Sequence, residues 1–145
     1  MFKHLLLPTD GSALSQEAVR KGLRLAKEQG ARVTAVHVLP EFHVLTYHVA
    51  MLEDTREQFI VDCTKQAEKY LEAVRQCAGE EGVACETRTV VSDHPHEAIA
   101  GTAEKSGCDL IVMASHGRRG LQGLLLGSET LKVLTHSKVP VLVLR

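Results

Sequence analysis

At 145 residues the chain has the length of one domain, residues 1–145, and its 44% of hydrophobic residues can build a core. A formal net charge of −1 excludes a general pull toward nucleic acid or an anionic membrane, so any anion site must be local. No apolar run reaches the ~18 residues of a membrane-spanning helix. The opening "MFKHLLLPTDGS" lacks the length and cleavage pattern of a signal peptide, which predicts a cytoplasmic protein.

In chain order, "HLLLP" is a continuous apolar run of strand length. From Ser12 to Gln29 a helix is predicted, with a stripe of Leu14, Ala18 and Leu25 flanked by Val19, Leu23 and Ala26. Gly30 stands where its C-terminal cap belongs. "RVTAVHVLP", rich in β-branched residues, reads as the second strand. The stretch "PEFHVLTYHVAMLED" is too long for a tight turn and reads as a loop or partly ordered entry to the next helix. That helix is predicted from about Glu53 to Glu81, where Ile60, Cys63, Ala67, Tyr70, Leu71, Val74 and Cys77 recur at steps of three and four.

"ACETRTVV" is the third strand, and the third helix begins in "DHPHEAIAGTAEKSG", with Pro95 at its first position and Gly107 at its stop. "DLIVMAS" is the fourth strand, Ser128 to about His136 a short fourth helix, and "VPVLVLR" the last strand. Continuous apolar strands suit a parallel sheet buried on both faces. The alternation predicts a doubly wound, Rossmann-like α/β fold with a five-stranded parallel sheet and helices on both faces. Cys63, Cys77, Cys85 and Cys108 form no CxxC pair and are predicted as four buried thiols in a reducing cytosol.

In an open α/β sheet, ligands bind beyond the C-terminal strand ends, where strand order reverses. With the order 3-2-1-4-5, those ends are "PTDGS" and "ASHGRRG", and the second leads into "LQGLLLGSET". This loop joins glycines to two arginines but has no Walker lysine. Gly127 and Ser128 open the fourth helix, whose free amides and positive end face the loop. Ser128 can cap that helix and donate its hydroxyl to a phosphate oxygen. Gly117 and Gly120 admit backbone angles and close approaches closed to other residues. Arg118 is the better placed of the arginine pair, and Arg119 reads as a solvated charge. Asp10 is either a helix N-cap or a functional carboxylate, with Ser12 able to cap instead. Thr9 lines the same cavity, and His37 reads as packed. His116 lies inside the loop, but no carboxylate in sequence orients it as a base. His94 and His96, beside Asp93, point in different directions on a first helical turn and do not make a metal pair.

Across its full length the chain resembles the universal stress protein family, through "LLLPTDGS", the "HV" ending the second strand, "GRRGLQGLLLGS" and "VPVLV". Nucleotide-binding members carry Gly-x2-Gly-x9-Gly-Ser/Thr, which Gly117, Gly127 and Ser128 match, while Ala114 replaces the first glycine. The resemblance implies an adenine-nucleotide site of Pro8, Thr9, Asp10, Val38, Met113, Ala114, His116, Gly117, Arg118, Gly120, Gly127, Ser128 and Glu129. Within it, Asp10 would accept ribose hydroxyls, and the Val38 main chain would meet the adenine edge. The expected ligand is ATP, with AMP and ADP as alternatives, and Mg²⁺ would enter only through the phosphates. Ala114 is expected to weaken binding without abolishing it. A homodimer through Val139–Leu144 and a role as a stress-response sensor or regulator are implied as well. Two alternatives remain at this point: a slow ATPase or nucleotidyl transferase of the adenine-nucleotide α-hydrolase group, and a ligand-free interaction module. No second carboxylate near Asp10 offers a Mg²⁺ pair and no obvious base can activate water, so the residues support holding a nucleotide better than cutting it.

Overall fold

Leu5, Leu6 and Leu7 are each 0% exposed, which places the first strand at the centre of the molecule. The computed structural model describes the backbone of residues 1–43, 49–118 and 125–145, and all their side chains except those of 49–54. The elements are β1 (His4–Pro8), α1 (Ala13–Gln29), β2 (Arg32–Leu39), α2 (Val49–Glu81), β3 (Cys85–Val91), α3 (Pro95–Ser106), β4 (Leu110–Ala114), α4 (Ser128–His136) and β5 (Val141–Leu144). The strands form one parallel five-stranded sheet in the order β3-β2-β1-β4-β5. Chain order and strand order part company between β1 and β4, so the crevice lies there.

Strand alternation divides the core into two layers. Leu5 and Leu7 of β1, with Val33, Ala35, Leu110 and Val112, pack against Val19, Leu23 and Ala26 of α1 and Leu71, Val74 and Ala78 of α2. Leu6, Val36, Ile111 and Met113 face the other way, against Ile99 and Ala103 of α3 and Val133 of α4. A continuous apolar strand is what this double burial requires.

The helix ends follow local chemistry. Ser12 caps α1 by accepting the Ser15 N–H at 3.2 Å, and Gly30 closes it at φ 61°. Pro95 occupies the first turn of α3 and Gly107 ends it at φ 67°. The buried face of α1 is turned from the expected stripe. Ser15, Ala18, Val19, Gly22, Leu23 and Ala26 are buried, while Leu14 is 41% exposed and Leu25 only half-buried. The face includes a serine and a glycine because the helix approaches closely; a Cβ on Gly22 would lie 2.5 Å from Leu7 Cδ2.

α2 starts at Val49, before the expected Glu53, and its 33 residues span about 50 Å, well beyond the strands it covers. Its second half packs through Ala67, Tyr70, Leu71, Val74 and Ala78, and the first half overshoots, leaving Ile60 and Val61 exposed. The expected run of four buried thiols is also corrected. Cys108 is buried, but Cys63, Cys77 and Cys85 are half-buried and all four are free. Of the expected entry loop, residues 44–48 lie outside the described residues. Among the described residues no helix is long and apolar enough to cross a membrane.

Candidate functional site

Pro8 is the last residue of β1 to pair with β2, opposite Val36, and the chain then turns into the crevice. Thr9 is buried there. Its N–H donates to the Val36 carbonyl at 2.9 Å, its hydroxyl bonds the Ser15 hydroxyl at 3.2 Å, and its carbonyl meets His37 Nδ1 at 2.8 Å. His37 is therefore a packing residue that ties β2 to the β1 loop. Asp10 follows with its carboxylate shared between two loops. Oδ1 accepts the Ser12 N–H at 2.9 Å, and Oδ2 accepts the Arg118 N–H at 2.8 Å. Burial alone would raise the Asp10 pKa, but hydrogen bonds from Ser12 and the Arg118 backbone outweigh it and hold the group below the ordinary carboxylate value. With Ser12 as the helix cap, Asp10 is free of that duty.

The second loop leaves β4 at Ala114, whose carbonyl accepts the Thr130 hydroxyl of α4 at 3.1 Å. Ala114 is itself buried, and β4 pairs it with Leu144. The Ser115 carbonyl accepts the Gly127 N–H at 2.7 Å, so the two ends of the loop are clamped together at the start of α4. A Cβ on Gly127 would stand 3.3 Å from that carbonyl and 3.4 Å from His116 Cα. His116 Nδ1 bonds the Ser115 hydroxyl at 3.1 Å, while its buried Nε2 has no partner among the described residues. At Gly117 the need is for space and not for an unusual angle: a Cβ there would overlap Asp10 Oδ2, and the glycines with positive φ among the described residues are Gly11, Gly30, Gly82 and Gly107. Arg119 and Gly120 lie outside the described residues.

Gly127 is the N-cap of α4, and among the described residues no side chain caps this helix. Ser128 is the first helical residue, which corrects the expected capping role and leaves its hydroxyl at the mouth of an uncapped helix. Amides of the first turn have no acceptor within their own helix, so this end carries unspent donors and positive partial charge.

Other expected site residues fall differently. The Met113 side chain packs in the α3/α4 layer. The Glu129 carboxylate turns to α3, accepting the His96 N–H at 3.0 Å and meeting His96 Nδ1 at 3.3 Å and Lys132 Nζ at 3.0 Å. Val38 is better placed than its side chain reveals. Thr9 donates to Val36 and Ser92 to Leu39, so alternation aims the Val36 and Val38 amide groups toward β1. The register with β1 ends at Pro8 and Val36, two residues before Val38. Its main chain thus faces the crevice past the end of the ladder.

One residue escaped the sequence reading as a site component. Tyr70 of α2 has its ring 5.0 Å from Arg118 Cζ and edge-on to His37 at 5.4 Å, and it fills the space where a Gly11 Cβ would be. At core spacing on a helix, nothing in sequence distinguishes such a tyrosine from its packed neighbours.

Asp93 is drawn away from His94 and His96. It pairs with His43 and accepts the Glu41 N–H at 3.0 Å. Glu41, His43 and Asp93 form the one His/carboxylate cluster of ligand spacing among the described residues, and all three are exposed.

The crevice therefore joins one carboxylate acceptor, a guanidinium, an uncapped helix start with a hydroxyl, and a strand main chain turned outward. Such a set can hold an anion at one end and a hydroxyl-bearing group at the other.

The universal stress protein family model matches residues 1–145. Universal stress protein YxiE of Bacillus subtilis is 36% identical over 149 residues, covering 100% of both chains. The solved structure of MJ0577, from Methanocaldococcus jannaschii, superposes with a TM-score of 0.84 at 30% identity, covering 99% of this chain and 96% of that one. A universal stress protein solved in complex with cAMP has a TM-score of 0.73 at 24% identity, covering 99% and 97%.

Proposed function

We propose a function from the premise that this chain belongs to the universal stress protein family: it binds an adenine nucleotide across the β1–β4 crevice. The observation that carries the reading is the meeting of the Asp10 carboxylate with the loop that runs from β4 to the uncapped start of α4. ATP is the proposed ligand. Its phosphates would lie against the amides around Gly117 and Gly127, the Ser128 hydroxyl and Arg118, with Mg²⁺ carried by those phosphates. Asp10 would take the ribose hydroxyls and the Val38 main chain the adenine edge. Glu129 would contribute its amide, its carboxylate being engaged with His96. The orphaned Nε2 of His116 and the crowding at Gly117 fit a loop shaped around a polar guest. A relative's complex with cAMP supports the adenine part of the reading. We place the protein in the cytoplasm as a homodimeric sensor whose nucleotide state sets its partners.

Titration calorimetry with ATP, and competition with GTP, tests this. Guanine would set the wrong donor and acceptor against Val38, so ATP should be preferred by ~10-fold or more, because one mismatched buried polar pair costs roughly 1–3 kcal/mol. Gly127→Val forces a branched side chain against the Ser115 carbonyl and over the helix mouth. It should abolish ATP binding while circular dichroism stays native. A wild-type protein that binds no ATP, or a well-folded Gly127→Val that binds it normally, overturns the reading.

A further inference from the structure

The contacts of Tyr70 follow a pattern. It meets Gly11, His37 and Arg118, and each of these is adjacent in the chain to a residue of the proposed nucleotide site: Asp10, Val38 and Gly117. The proposed site takes no group from α2, yet through this ring α2 touches the three segments that would supply it. The Arg118 guanidinium lies over the ring, and among the described residues no carboxylate pairs with it. A guanidinium held over an aromatic ring by cation–π attraction still has N–H donors for a second partner.

We propose that Tyr70 is a positioning residue for phosphate recognition, holding the Arg118 guanidinium over its ring so that its N–H donors are presented to the nucleotide phosphates. The inference rests on the nucleotide reading above. It adds that a residue remote from the ligand sets the phosphate contribution and leaves the contribution of base and ribose unchanged. The Tyr70 hydroxyl bonds the Gln66 amide, so it is the ring and not the hydroxyl that faces the site.

Calorimetry with ATP and with adenosine separates these contributions. Tyr70→Leu should weaken ATP ~5-fold or more, the scale of one cation–π contact, and leave adenosine within ~2-fold. Tyr70→Phe keeps the ring and should restore ATP to within ~2-fold of wild type. In an Arg118→Gln background, where the surface substitution spares the fold, Tyr70→Leu should cost ATP nothing further. A separate readout needs no nucleotide. The chain has no tryptophan and two tyrosines, so Tyr47→Phe leaves Tyr70 as the single emitter. Adding Arg118→Gln should then change its fluorescence. Equal loss of ATP and adenosine in Tyr70→Leu, a loss that persists without Arg118, or an unchanged Tyr70 emission overturns the positioning role while leaving ATP binding standing. A wild type that binds no ATP overturns both.

Discussion

Asp10 and Gly117 show how much a single contact can organise. The carboxylate accepts one amide from its own loop and one from the loop after β4, and position 117 must be bare for the second bond to form. Of the two reasons the sequence offers for glycine at 117, an unusual angle and a close approach, the structure uses the close approach. Cysteine chemistry belongs to the same scale. Burial pushes the Cys108 thiol up to about 11, so at pH 8 on the order of one molecule in a thousand carries the thiolate. We expect Cys108 to be the slowest of the four thiols toward a disulfide reagent, reacting only as the protein unfolds, while half-buried Cys63 and Cys77 react first. Four equal rates would refute this. A raised thiol pKa also means that the unfolded chain ionises first, so stability falls as pH climbs from the ordinary thiol value toward 11.

Between elements, Glu129 links the start of α4 to the start of α3. Burial raises its pKa, but hydrogen bonds from Lys132 and the His96 amide outweigh this and leave the group below its ordinary value. A depressed carboxylate stabilises the fold above its unfolded pKa, and that contribution is lost as pH falls through the folded pKa. The side chain is 38% exposed, so screening limits the contribution to about 0.5 kcal/mol. Glu129→Gln should therefore lower Tm by about 1–2 °C at pH 7, a gap that closes as the pH falls below about 4. A gap that is the same at pH 3 and pH 7 in thermal melts would show that charge is not the cause. The same pair shows what adjacency in the chain leaves open. Glu129 sits beside the glycine-serine motif in the chain, and only the packing of α4 on α3 reveals that its carboxylate serves the other helix.

For the molecule as a whole, the strand order leaves β3 and β5 as edges. An apolar edge invites pairing with another chain, and a two-fold axis satisfies both copies alike. In the proposed dimer through Val139–Leu144, the Leu142 side chain is 38% exposed, whereas Val139 and Val141 pack against the α3/α4 layer. Leu142→Asp should consequently give a folded monomer by light scattering, where a charge at Val141 would damage the core as well. A wild-type chain that is monomeric at high micromolar concentration removes the proposal.

The sequence by itself determined the element order, the helix stops at Gly30 and Gly107, the parallel sheet, and the two loops that meet at the crevice. These follow from local rules: apolar runs long enough for doubly buried strands, glycine at left-handed caps, and crossovers long enough to return in parallel. Tertiary structure decided which side chains inside those elements face which neighbour. Periodicity has a phase that only packing fixes, so α1 turned to bury Ser15 and Gly22 in place of Leu14, and half of α2 overshot the sheet. Tyr70 reaches Arg118, and the Glu129 carboxylate turns to His96, for the same reason. Both depend on contacts between residues tens of positions apart in the chain, which no local pattern encodes.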